Sequence, residues 1–263
     1  MEHTQQPRID ALRDQIARMQ ATTARHDVPA TLPFGIPAVD ELLPGHGLTL
    51  GALHEAAGLG PETEHAAAAA LFVAGILARC RGIVLWALEQ PDLFAPALAG
   101  AGLPPSRVIF LEAGRDVLAG MEDGLHQAGL AGVVGETSAR VTLTASRRLQ
   151  LAAETSGVPA FLLRRSRVFD DPRLSEPNAA VTRWRLAALP SAPPIPEAPD
   201  VPGLAASRWR LDLARCRGGE PATWTVEACD AQGHLRLVPD LPDRSAAPDR
   251  RGAVWGRPDR LRA

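Results

Sequence analysis

The pattern of hydrophobic and polar positions changes period repeatedly between residue 50 and residue 163. Short apolar runs typical of strands alternate with longer stretches in which apolar residues recur at helical spacing. The pattern predicts strands at 51–57, 83–88, 107–112, 131–136 and 158–163. It predicts helices at 63–80, within 91–102, at 115–128, and from Thr142 or Thr144 to just before Gly157. Continuous apolar strands separated by helices predict a mostly parallel sheet covered by helices on both faces.

The regions outside this core have a different pattern. A strand is predicted at 182–189, and residues 190–203 contain six prolines, which indicates a stiff linker. The predicted organisation is therefore an N-terminal amphipathic helix and linker (1–31), an α/β core (32–189), the proline-rich linker (190–203), a small β region (204–243) and a disordered arginine-rich tail (244–263). The two termini are expected to be flexible.

The N-terminal helix has an apolar stripe at heptad spacing, formed by Ile9, Leu12, Ile16 and Met19. Two heptads are too short to hold a coiled coil alone. The stripe either packs on its own domain or docks on a partner.

Composition excludes several kinds of chemistry. All 28 basic residues are arginine, so the chain has no lysine for a Schiff base, a general base or a phosphate loop. The three cysteines lie far apart, which supports neither a disulfide framework nor a zinc site. No apolar run approaches the roughly 20 residues needed to span a bilayer, and the N-terminus has no apolar leader segment, so we expect a cytoplasmic protein that does not contact membrane.

Charge is distributed unevenly along the chain. Residues 1–163 carry 11 Arg against 17 acidic residues, whereas residues 164–263 carry 17 Arg against 13 acidic residues. The basic C-terminal portion suggests an anionic or acidic partner.

The stretch PFGIPAVDELLPGHGLTLGALHEAAGLGPETEHAAAAALFVAGIL resembles the opening of the RecA core. A working phosphate loop reads GxxxxGK[ST], in which lysine neutralises the phosphates and the hydroxyl holds magnesium. Here the corresponding loop contains Gly58, Gly60, Pro61, Glu62 and Thr63, and no GK[ST] follows. Glu62 and Glu64 add negative charge where a triphosphate would lie. The loop is therefore predicted to be degenerate, and the protein is predicted not to be an enzyme and to hold no cofactor or metal.

Two carboxylates match RecA-family positions. Glu89 follows the second core strand, where the family has a water-activating glutamate, and Glu136 lies near its magnesium-associated aspartate. For Glu89, an exposed carboxylate after a strand is the alternative.

An arginine-rich segment follows the last parallel strand, where the RecA resemblance implies a DNA-binding loop. It contains Arg164, Arg165, Arg167 and Arg173, and then Arg183 and Arg185 on either side of Trp184. Arginine beside an aromatic ring suits phosphate contact and base stacking, so weak contact with single-stranded DNA or a partner protein is one hypothesis. A solvated strand face is the other.

Across nearly its whole length the chain resembles the inducible mutagenesis protein A (ImuA) family, which is RecA-like and SulA-like. The segments that carry the resemblance are PFGIPAVDELLPGHGL, GLAGVVGETSARVTLTASRRLQLAAETSGVPAFLLRRS, NAAVTRWRLAALPSAP and RWRLDLARCRGGEPATWTVE. The resemblance implies a non-enzymatic role in the SOS response and translesion synthesis. It also implies assembly with an ImuB-like Y-family protein, an error-prone C-family polymerase and RecA.

Two other functions remain open from the sequence. One is a SulA-like inhibitor of a cell-division filament, and the other is a nucleotide-dependent RecA-family recombination mediator.

Overall fold

A computed structural model describes residues 30–238, except 196 and 199, and excludes the side chains of Glu62 and Thr63. The predicted N-terminal stripe (Ile9, Leu12, Ile16, Met19) and the tail 244–263 lie outside the described residues. None of the helices in the described part combines the length and apolar character needed to span a bilayer.

The described chain alternates strands and helices. The strands are β1 (Thr31–Leu32), β2 (Leu48–Thr49), β3 (Leu53–Gly58), β4 (Ile83–Leu88), β5 (Val108–Glu112), β6 (Leu130–Thr137), β7 (Ala160–Arg164), β8 (Thr182–Leu189), β9 (Arg208–Cys216), β10 (Ala222–Glu227) and β11 (Arg236–Leu237). The helices are α1 (Pro37–Asp40), α2 (Glu62–Ala78), α3 (Ala95–Gly100), α4 (Val117–Leu125) and α5 (Leu143–Ser156), with short 3-10 turns at Pro105–Arg107, Gly114–Asp116 and Pro172–Leu174.

Nine strands form one sheet in the order β11-β10-β9-β8-β3-β7-β6-β4-β5. The six strands from β8 to β5 in this order are parallel to one another, and β9, β10 and β11 add antiparallel pairs. This confirms the predicted fold class. The C-terminal strands, predicted as a small β region after the proline-rich linker, join the same sheet, because β9 pairs with β8.

The sheet separates two apolar clusters. Helix α2 is apolar on nearly all sides and packs on β3 and β8, where the rings of Phe34, Phe72 and Trp184 contact one another. On the other face, α4 and α5 enclose a second cluster that includes Leu53, Met121 and Leu149.

Helix α5 is capped by Thr142, one of the two threonines predicted to begin it. The Thr142 hydroxyl accepts a hydrogen bond from the Ala145 amide at 3.2 Å, which fixes the start of the helix. The helix ends at Gly157, whose φ of 73° favours glycine.

A buried hydrogen-bond chain ties β3 to β8. His54 Nε2 donates to the Thr49 carbonyl at 2.8 Å, so its Nδ1 accepts from the Thr182 hydroxyl at 2.7 Å. The same hydroxyl accepts from Trp184 Nε1 at 2.8 Å. Burial lowers the pKa of His54 to about 4, although the hydrogen bond to Thr49 opposes the shift.

This buried neutral histidine predicts an acid-sensitive fold. An unfolded histidine has its ordinary pKa of 6.5. The His54 contribution is therefore complete above pH 6.5 and is lost as the pH falls towards 4, because only the unfolded state binds the proton. The loss is on the order of 3 kcal/mol. We expect the stability advantage of the wild type over His54→Gln, measured by urea unfolding, to shrink between pH 7 and pH 4.5. A pH-independent advantage would contradict this role.

Candidate functional site

The loop between β3 and α2 corresponds to a phosphate loop in position but not in shape. Helix α2 already begins at Glu62, and the amides of Glu64 and His65 both donate to the Pro61 carbonyl, at 3.1 and 3.3 Å. These amides are therefore engaged within the helix and are not free to surround a phosphate. The side chains of Glu62 and Thr63, which were predicted to mark this loop, lie outside the described residues.

His65 fills the space beneath the loop. Counted from Gly60, the GxxxxGK[ST] pattern requires glycine, lysine and Ser/Thr at positions 65, 66 and 67, where this chain has His65, Ala66 and Ala67. A Cβ at Gly58 would lie 2.8 Å from the His65 Cβ, and one at Gly60 would lie 3.0 Å from His65 Cδ2. His65 Nδ1 also accepts from the Ala188 amide at 3.2 Å, which anchors the ring to the end of β8.

The carboxylate of Glu89 is held by hydrogen bonds to the residues that follow β6. Its Oε2 accepts from the Thr137 hydroxyl at 3.0 Å and from the Ser138 amide, and its Oε1 accepts from the Ser138 hydroxyl at 2.9 Å. Partial burial alone would raise the pKa of Glu89, but these hydrogen bonds outweigh burial and bring the pKa below its ordinary value. A carboxylate so engaged is a weak base for activating water.

Glu136 shares a cavity with the N-terminal half of α2. It lines a cavity of about 260 Å³ together with Ala66 and Ala67, which occupy the lysine and Ser/Thr positions. Its Oε1 lies 3.4 Å from Arg165 Nη1, and Arg165 also forms a bidentate pair with Asp92 at 2.7 and 2.8 Å. The residue near the family's magnesium-associated position is therefore paired with a fixed cation and faces two methyl groups.

A buried carboxylate organises three of the arginines predicted to contact DNA. Glu55 on β3 is fully buried and its Oε1 lies 2.6 Å from Arg185 Nη2. Its oxygens also lie 3.7 Å from Arg164 Nη1 and 3.9 Å from Arg183 Nε. Asn178 Nδ2 donates to Glu55 Oε2 at 2.5 Å. Burial lowers the pKa of Arg164 and of Arg183 from the ordinary arginine value, and the Glu55 charge opposes that shift.

The expectation that Arg164, Trp184 and Arg185 form an exposed contact surface is wrong. Trp184 is fully buried, and its ring centroid lies 5.5 Å from that of Phe34, so it cannot stack on a base. Arg164 and Arg185 are buried against Glu55 rather than solvated. The physical reason is that β8 is covered on both faces, by α2 on one side and by the segment 166–178 on the other.

The remaining predicted arginines lie nearer the surface. Arg173 forms an ion pair with Asp171 at 2.7 Å, and hydrogen bonds from Arg173 hold the pKa of Asp171 well below its usual range. Arg167 is exposed and lines a small cavity with Glu89 and Arg165. No group of three His, Cys, Asp or Glu side chains within the described residues is arranged to hold a metal ion.

Comparison with known proteins identifies the family. The sequence is 43% identical over 240 residues to protein ImuA of Caulobacter vibrioides strain NA1000 / CB15N, covering 86% of this chain and 96% of that protein. The same values hold for protein ImuA of strain ATCC 19089 / CIP 103742 / CB 15. The chain belongs to the ImuA family. No family model matches the sequence.

The fold of this ImuA-family chain is also found among recombinases. The crystal structure of the RadB recombinase aligns with a TM-score of 0.54 at 18% sequence identity, covering 79% of this chain and 99% of that chain. At this identity the similarity establishes a RecA-like fold, not a shared activity.

Sequence reasoning missed two residues that shape this ImuA-family site. The role of Glu55 could have been predicted from the sequence, because a carboxylate in an otherwise apolar parallel strand needs a buried cation as its partner. His65 gave no such signal, because its role depends on the path of the loop around its ring.

The Glu55 cluster predicts a large stability cost for loss of one charge. We expect Glu55→Gln to destabilise the fold by about 3 kcal/mol or more in urea unfolding, because it leaves buried guanidinium groups without a counter-charge. The matched control is Glu122→Gln, which removes a surface partner of Arg148 at 2.6 Å and should cost less than about 1 kcal/mol. Equal costs for the two variants would show that the buried cluster is not stabilised by charge.

Proposed function

We propose that this protein is a RecA-like accessory protein of damage-induced mutagenesis that acts by assembly and not by hydrolysis of nucleoside triphosphates. The role in damage-induced mutagenesis is supported by membership of the ImuA family. The absence of hydrolysis is supported by the His65 ring against the loop and by the alanines at the lysine and Ser/Thr positions.

Three features of the site support a non-catalytic role. The amides of Glu64 and His65 in the first turn of α2 are engaged with the Pro61 carbonyl, which reduces the anion-binding capacity of the loop and helix N-terminus. Glu89 is held by Ser138 and Thr137, and Glu136 is paired with Arg165. A base, a phosphate cradle and a metal-holding hydroxyl would all be needed for RecA-type hydrolysis.

A protein that keeps the RecA fold without this chemistry works through its surfaces. By resemblance to the ImuA family, the proposed partners are an ImuB-like Y-family protein, an error-prone C-family polymerase and RecA. In this proposal the protein brings polymerase components together at damaged DNA in the cytoplasm during the SOS response.

Genetic complementation tests both halves of the proposal. Deleting the gene in the parent organism should lower the frequency of mutations induced by ultraviolet light, and the wild-type gene should restore it. Glu89→Gln should restore it equally well, because the proposed function does not use this carboxylate to activate water.

Two results would contradict the proposal. An unchanged mutation frequency in the deletion strain would remove the role in mutagenesis. A Glu89→Gln protein that is present at normal level but fails to complement would indicate that the site is catalytic.

A further inference from the structure

Two open cavities meet beside the segment 168–179, next to Arg183 of β8 and Arg215 of β9. One has a volume of about 560 Å³ and lies along α5, and the other has a volume of about 740 Å³ and reaches the loop at Gly58. Both are lined by Ser175, Arg183 and Arg215, so they form one continuous depression. We call it the arginine groove.

The groove carries excess positive charge. It is lined by five arginines against three carboxylates; among them, Asp171 is already paired with Arg173 and Arg185 is already paired with Glu55. The five arginines are Arg147, Arg183, Arg185, Arg215 and Arg217; the other two carboxylates are Glu154 and Asp170.

Two of these arginines have only neutral partners. Arg215 donates to the Asn178 carbonyl at 3.0 Å, and Arg217 donates to the Ala179 carbonyl at 3.1 Å. Within the described residues, neither has a carboxylate at salt-bridge distance. Both side chains are exposed, so an incoming anion could reach them without disturbing the core.

Arg183 has a like-charged neighbour and a donor nitrogen without a hydrogen-bond partner. It lies directly opposite Arg215 across the antiparallel β8–β9 pair, where like charges are unfavourable. Its Nε is buried without a hydrogen-bond partner, 3.9 Å from Glu55 Oε1. Burial lowers the pKa of Arg183; the Glu55 charge opposes this shift, and the neighbouring charges of Arg185 and Arg215 add to it. An anionic ligand would relieve this repulsion.

The groove is also rimmed by apolar side chains. Twelve large hydrophobic side chains are exposed in the described part of the chain, and five of them line the groove: Leu59, Leu143, Leu151, Val168 and Phe169. Leu143, Arg147 and Leu151 are spaced four residues apart on α5, so they share one helix face. A nucleic-acid backbone offers no apolar surface to pack against exposed leucines. A peptide that carries apolar residues beside carboxylates matches both the leucines and the arginines.

We propose that the arginine groove binds a segment of a partner protein in which Asp or Glu side chains alternate with large apolar side chains. In this interface the carboxylates pair with the exposed Arg215 and Arg217, next to the buried Arg183, and the apolar side chains cover Leu151 and Phe169. The inference rests on the proposed assembly function and specifies the chemistry of one partner.

Selection from a phage-displayed library of random 16-residue peptides tests the groove with the full chain as bait. We expect enriched peptides to be acidic and to contain Leu, Ile or Phe. In fluorescence anisotropy with the enriched peptides, Arg215→Gln should weaken binding by about tenfold or more, because one charge-assisted contact is lost. Leu151→Ala should weaken it severalfold.

Matched control variants distinguish binding in the groove from a general effect of surface charge or surface leucines. Arg210→Gln lies on the same strand, removes the same charge from an exposed pair with Asp212, and should leave affinity within twofold. Leu204→Ala removes an exposed leucine outside the groove and should also have no effect.

Several outcomes would overturn the inference. These are a failure to enrich peptides over an unrelated bait, an enriched set without acidic residues, and equal binding to Arg215→Gln. A labelled dT20 oligonucleotide that binds through Arg215 more tightly than any selected peptide would make the groove a nucleic-acid surface instead. None of these results would alter the mutation-frequency test, so failure of the groove and failure of the proposed function are distinguishable.

Discussion

The carboxylate of Glu55 supplies the negative charge that balances the arginines buried at the centre of this sheet. Guanidinium groups from β7 and β8 are buried beside it, and without a counter-charge their burial would cost several kcal/mol each. Asn178, at the end of the segment that covers β8, donates to the same carboxylate. One side chain on β3 therefore fixes two neighbouring strands and the segment that closes over them.

This arrangement determines which surfaces remain for function. Because Glu55 draws Arg164 and Arg185 inward, the edge of the sheet after β7 does not present them to a ligand. Arg183 lies at the margin of the cluster and joins Arg215 in the open groove. At the C-terminal end of β3, His65 packs against Gly58 and Gly60 of the loop. The fold keeps the RecA arrangement, and Ala66 and Ala67 stand at the positions that carry lysine and Ser/Thr in a working phosphate loop.

The parallel core could be predicted from sequence because its signals are local. Apolar runs marked the strands, and Thr142 with Gly157 marked the ends of α5. Two features could not be predicted, because they depend on distant contacts. Residues 190–203 suggested a linker to a separate region, yet β9 pairs directly with β8. The alternation of Arg183, Trp184 and Arg185 indicated two faces but not that both are covered, and the partner of Arg185 is 130 residues away.

We propose that the loop between β3 and α2 does not bind a nucleoside triphosphate. A titration of isotope-labelled protein with Mg-ATP, followed by the amide resonances of residues 64–67 in nuclear magnetic resonance spectra, tests it most directly. We expect no saturable shift of these resonances, because these amides are engaged within α2 and the His65 side chain packs against Gly58 and Gly60 of the loop. Saturable shifts at micromolar Mg-ATP, accompanied by release of phosphate, would contradict it.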